Sequence, residues 1–180
     1  MADVAQQDFS IERTAPDTIR MERMLDAPAD TVWRYLVDGE LRAQWFAGGS
    51  DARPDGDLDL LFDHDRLSAD DVPCPEEYAK HKGHASHEKV VRFEPKRVLA
   101  FTFGEGKNGV ATFELFPQGD DRTRLVLTHS GITSPTGDLD FGSGWSSHLA
   151  VLQAKLAGGS VRNFWALHEQ SRAAVREALG

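Results

Sequence analysis

The chain has 180 residues, 40% apolar and 27% charged, a single-domain length and a globular composition that exclude a disordered or collagen-like chain. Twenty basic residues against 29 acidic ones leave a net charge of −9. Phosphate backbones and anionic lipid surfaces repel such a chain, so no nucleic-acid partner is expected. The one cysteine, Cys74, rules out an internal disulfide and fits a reducing compartment. The N-terminus lacks a basic start with an apolar run, and no stretch approaches the ~20 apolar residues of a membrane span. The expected location is cytoplasmic, with no membrane insertion.

Residues 1–17 read as a tail or edge segment. TIRMERML, Thr18 to Leu25, alternates enough to predict a strand. Pro28 sits where a helix would begin, with Asp26 or Ala27 as cap, and Val32, Trp33, Leu36 and Val37 follow at helical spacing to a stop at Gly39. A second short helix is expected from Glu40 to Phe46. In DLDLLFDHD the period becomes two, with Leu58, Leu60, Phe62 and His64 on one face and aspartates on the other. Residues 67–83 read as a long insertion.

Four more strands are predicted, each bounded by turn residues: His84–Phe93, Val98–Phe103, Gly109–Phe116 and Arg122–Ser130. Short turns make neighbours antiparallel. A loop over 132–144 leads to Trp145, His148, Leu149, Leu152 and Leu156, one face of a helix stopped by Gly158-Gly159. A last helix, from about Val161 to Leu179, carries Phe164, Leu167 and His168 on one side. The expected organisation is a tail (1–17), one domain (18–160) and an added C-terminal helix (161–180) packed on it. The fold class is α+β, with an antiparallel sheet of six to seven strands.

The segments RMLDAPADTVWRYLVDGELRAQWF, VVRFEPKRVLAFTFG, FELFPQGDDRTRLVLTHSGI and GWSSHLAVLQAKLAGG resemble, in this order, domains related to the activator of heat-shock protein 90 ATPase, within the START-like (SRPBCC, Bet v-like, polyketide-cyclase-like) superfamily. FDHD and NFWALHEQSR are similar to a bacterial subgroup. The resemblance implies a helix-grip fold, a curved sheet wrapped round one long helix, with a ligand space between them. The strands are then expected to contribute Phe62, Phe93, Phe101, Phe103, Phe113 and Leu127 to that space. The long helix would contribute Trp145, Leu149 and Leu152, and Trp45-Phe46 would close one end. Ligand pockets are mostly apolar with a few orienting polar groups, and His64, His129 and His148 fall in register to supply them.

The leading expectation is a binding module for a small hydrophobic molecule, a carrier or sensor without cofactor. An acid–base enzyme of the cyclase or dehydratase type using the same histidines is the alternative. The resemblance also implies a chaperone partner as a third reading, and the C-terminal helix leaves a homodimer open. Cys74, His81, His84 and His87 lie close in sequence, but their spacing matches no standard zinc site, and no metal is expected. GEGKNG lacks the phosphate-loop pattern and reads as a hairpin turn.

Overall fold

A computed structural model describes residues 7–180. Eight strands form one antiparallel sheet: β1 (Glu12–Ala15), β2 (Thr18–Leu25), β3 (Gly48–Gly49), β4 (Asp57–Leu61), β5 (Ala85–Glu94), β6 (Val98–Thr102), β7 (Val110–Gln118) and β8 (Arg122–Ser130). Their order across the sheet is β1-β2-β8-β7-β6-β5-β4-β3. This is the expected curved sheet, with two short edge strands added. β1 and β3 have four and two residues, too few to carry a readable alternation.

Alternation explains the central strands. Ile19, Met21 and Leu25 of β2 point to the core together with Arg23, and their neighbours point to solvent. The register sets Met21 opposite Leu127 of β8, and Leu127 opposite Phe113 of β7. That continuous apolar face receives α3 (Gly137–Leu156), whose Trp145, Leu149 and Leu152 are buried against it. A fully buried aromatic or leucine side chain contributes about 2–3 kcal/mol, so this layer dominates the fold's stability.

α1 (Ala29–Val37) and α2 (Gly39–Arg42) close one end of the sheet. The N-cap of α1 is Pro28 itself, not Asp26 or Ala27; its fixed φ of −65° suits the position, and no side chain caps the helix. Asp38 ends α1 and starts α2, its Oδ1 accepting from the backbone N–H groups of Glu40 and Leu41. Gly39 therefore opens α2 instead of merely ending α1. A Cβ there would lie 2.4 Å from the Gly49 carbonyl oxygen, so only glycine permits this approach to β3. Buried Arg42 ties the corner together, donating to the carbonyls of Leu36, Ala47, Gly48 and Ser50.

Three other expectations are corrected. β4 ends at Leu61, and His64 opens a 3-10 turn, His64–Leu67. The insertion holds a second such turn, Glu76–His81. The segment expected as a loop over 132–144 is helical from Gly137. Gly142 there is packed so closely that a Cβ would sit 2.7 Å from Ile11 Cδ1 and 3.1 Å from Val175 Cγ1. Tertiary packing overrides the poor helix propensity of this Gly/Ser-rich stretch.

α4 (Phe164–Leu179) starts at Asn163, whose side chain accepts from Ala166 N–H. It runs antiparallel to α3: Ser171 meets Ser143, His168 meets Ser147, and Phe164 meets His148. Among the described residues no helix is long and apolar enough to cross a membrane.

Candidate functional site

The space between sheet and α3 is mostly filled. Phe101, Phe113, Leu127, Leu149 and Leu152 are closed core. Trp45 is fully buried, its indole N–H donating to the Tyr35 carbonyl and its ring edge-on to Phe113. Phe93 packs edge-on to Trp33, on α1. None of these lines the two openings beside α3.

His129 is committed internally as well. Its Nδ1 accepts from the Trp145 indole N–H at 3.0 Å, and its Nε2 lies 2.7 Å from the Asn108 carbonyl oxygen. An indole only donates and a carbonyl only accepts, so His129 is the Nε2–H tautomer with both nitrogens occupied. Burial lowers its pKa, opposed by the Asn108 bond.

What remains open lies to one side. A cavity of about 90 Å³ is walled by Phe46, Phe62, Phe103, Phe141, Trp145 and His148. It shares Asp140, Phe141, Gly144 and His148 with a cleft of about 620 Å³. One side of the cleft is the α3 face Gly137, Asp140, Phe141, Gly144 and His148, at helical i, i+3, i+4, i+7, i+11 spacing. The other is the α4 face Phe164, Trp165, His168, Glu169 and Arg172. His64 and the Glu76–His81 turn form the third side.

Three histidines surround Phe164, with ring centroids 5.4 Å (His64), 5.1 Å (His148) and 6.0 Å (His168) from it. His64 and His148 are 5.5 Å apart. Tyr78 stacks on Trp165 at 4.9 Å, with an interplanar angle of 11°. His64 and His148, both expected from the sequence, meet here. Phe46, Phe62, Phe103 and Trp145 line only the smaller cavity. His168, Trp165, Phe164, Tyr78 and Phe141 were not expected as site residues. The i, i+4 pair Phe164/His168 carried a signal, but its partner face on α3 lay in the segment read as loop.

A hydrogen bond fixes the tautomer of His148. His148 Nδ1 lies 2.8 Å from the Trp45 carbonyl oxygen, so Nδ1 carries the proton. Ser147 Oγ lies 2.7 Å from the Ser143 carbonyl oxygen and 2.8 Å from His168 Nδ1. The Ser143 carbonyl also accepts from Ser171 Oγ, so the single Ser147 proton has two acceptors and this pair leaves both His168 tautomers open. His64 has no hydrogen-bond partner among the described residues.

Burial is the chief cause of lowered basicity at all three. It pushes His148 down to about 3, aided by His64 and opposed by the Trp45 carbonyl. His64 falls to about 4, aided by His168 and opposed by Asp63. His168 is also lowered, against the pull of Glu169. At neutral pH the cleft therefore presents uncharged imidazoles among aromatic faces.

Among the described residues no three His, Cys, Asp or Glu side chains converge to hold an ion. His87 pairs with Asp59 at the exposed sheet edge, His84 lies beside Phe62, and Cys74 Sγ contacts the Pro75 carbonyl.

A family profile described as "Activator of Hsp90 ATPase homolog 1-like protein" matches residues 26–157, most of the sheet and all of α3. The chain belongs to this family. The Activator of Hsp90 ATPase homolog 1-like match ends before α4, so the matched region supplies two sides of the cleft, the α3 face and the 64–81 segment, and the C-terminal helix supplies the other. A Bordetella parapertussis protein solved by NMR is similar, with 37% identity over 93% of this chain and 89% of that one, and a TM-score of 0.77. CalU16 from Micromonospora echinospora shares the fold at 22% identity, covering 94% of this chain and 95% of that one, with a TM-score of 0.65. A protein of Enterococcus faecalis shares it at 18%, over 93% and 91%, with a TM-score of 0.62. No curated protein matches this chain.

Proposed function

We propose that this chain binds a small, largely aromatic molecule in the cleft between α3, α4 and the 64–81 segment. One observation carries the reading: an opening of about 620 Å³ where uncharged histidines meet the faces of Tyr78, Trp165 and Phe141. The volume and the aromatic faces of Phe141, Phe164 and Trp165 match a small-molecule site with a polar rim. Lys80 and Arg172 on the cleft wall are matched by Glu77, Asp140 and Glu169, and Arg172 pairs with Asp140.

The acid–base reading has weaker support. A general acid or base works best with a pKa near the operating pH. His148 at about 3 and His64 at about 4 are too weakly basic to be protonated at neutrality.

Gly144 supplies the test. It lies on α3, lines both cavities, and a Cβ there meets nothing within 4 Å. Gly144→Leu should fill the cleft without disturbing the backbone. The expected result is that the wild-type chain enhances anilinonaphthalene sulfonate fluorescence and Gly144→Leu, with unchanged circular dichroism, does not. Equal enhancement by both proteins would sink the proposal.

A further inference from the structure

Deepening the ligand-binding reading above, on which it rests, we infer that the cleft selects ligands carrying a hydroxyl or N–H donor, with His148 Nε2 as the acceptor that reads it. His148 spends its only ring proton inward, on the Trp45 carbonyl, which can only accept. Its Nε2 is therefore left as a bare lone pair.

That lone pair is open to a ligand. His148 Nε2 has no protein partner among the described residues, where the only buried side-chain polar atom without one is Arg23 Nε. The Nε2 atom is thus not sealed in the core, and its residue lines the cleft. An acceptor among aromatic faces rewards a donor and penalises an ether or an apolar isostere that leaves it unpaired. His148 lies beside Phe164 of α4, so a planar aromatic alcohol lying over this floor suits the arrangement better than a flexible chain.

The test compares naphthol with its methyl ether by isothermal titration calorimetry at neutral pH. Wild-type protein should bind naphthol about tenfold more tightly, the effect of one well-made hydrogen bond. His148→Asn keeps a side-chain N–H near the Nδ1 position, which protects the fold, but removes the Nε2 acceptor. The expected result is that the preference collapses in this variant while the ether still binds. Equal binding of alcohol and ether by wild type overturns the inference and leaves the cleft reading standing. A preference that survives in His148→Asn overturns it too. If neither compound binds wild type and Gly144→Leu leaves the fluorescent probe unaffected, both readings fall.

Discussion

His148 Nδ1 lies 2.8 Å from the carbonyl oxygen of Trp45, and this bond fixes the tautomer of a buried histidine while fastening the turn after α2 to α3. Trp45 is held in turn by its indole N–H on Tyr35. The cleft's deepest polar group is therefore set by residues more than a hundred positions away in the chain.

The same burial makes the protein acid-sensitive. His148 titrates at about 3 when folded and near 6.5 when unfolded. Between those values the unfolded chain binds the proton and the folded one does not, so stability falls as the pH drops. The full contribution is present above pH ~6.5, and about 2 kcal/mol of it is gone by pH ~5. His64 and His168 act in the same direction. Urea midpoints measured from neutral pH down to pH ~5 should fall, and His148→Asn should flatten the curve. A wild-type midpoint constant over that range contradicts the neutral-histidine cleft.

Tyr78 is the chief anchor of the Glu76–His81 turn, which contains no buried residue. Its ring stacks on Trp165 and meets His168 edge-on at 5.3 Å. An aromatic pair contributes about 1 kcal/mol beyond burial. Tyr78→Ala should raise amide exchange in residues 76–84 about fivefold while leaving the global urea midpoint nearly unchanged. Exchange spreading into β2 or β8 would mean that the turn belongs to the cooperative core.

Much of the fold was legible because β2 and β8 announce themselves. Thr18–Leu25 and Arg122–Ser130 occupy the expected residues, since alternation is strong where one face is buried. The site was less legible. Phe101, Phe113 and Leu149 carry the same inward pattern as a cavity wall, but periodicity cannot distinguish a wall from solid packing. His64 was placed by extending the β4 alternation beyond Leu61; the chain turns there, yet the ring still reaches the cleft. His168 depends on Ser147 of another helix, and Tyr78 on Trp165 across nearly ninety residues. Such pairs arise only in tertiary structure and leave no local signal.

Arg42 should be the most sensitive charged residue. Burial lowers it to about 10, partly offset by Asp51 and Asp38, so it remains a cation at neutral pH. Its guanidinium satisfies the carbonyls of Leu36 on α1, Ala47 before β3, Gly48 on β3 and Ser50 just after it. Arg42→Ala strands those oxygens and should cost about 3–5 kcal/mol. Arg42→Lys should recover little, because a single ammonium cannot span the fork. Chemical denaturation of the two variants checks both statements, and a near-wild-type lysine variant would show that charge alone suffices.

Three glycines should respond differently to the same methyl group. At Gly49, with φ of +100°, a Cβ would sit 2.0 Å from the Asp59 carbonyl oxygen; at Gly109, with φ of +80°, it would sit 1.8 Å from that of Ser130. Both neighbours are strand backbone and can yield only by breaking register, at β3–β4 in one case and beside β7–β8 in the other. Alanine at either position should cost at least about 2 kcal/mol. Gly144 lies within α3 with nothing within 4 Å of its would-be Cβ, so Gly144→Ala should gain about 0.5–1 kcal/mol from helix propensity. Urea midpoints for the three variants should rank Gly144→Ala above wild type and the other two below it. If Gly144→Ala proves as damaging as the others, the space beside α3 is not open, and the cleft itself is in question.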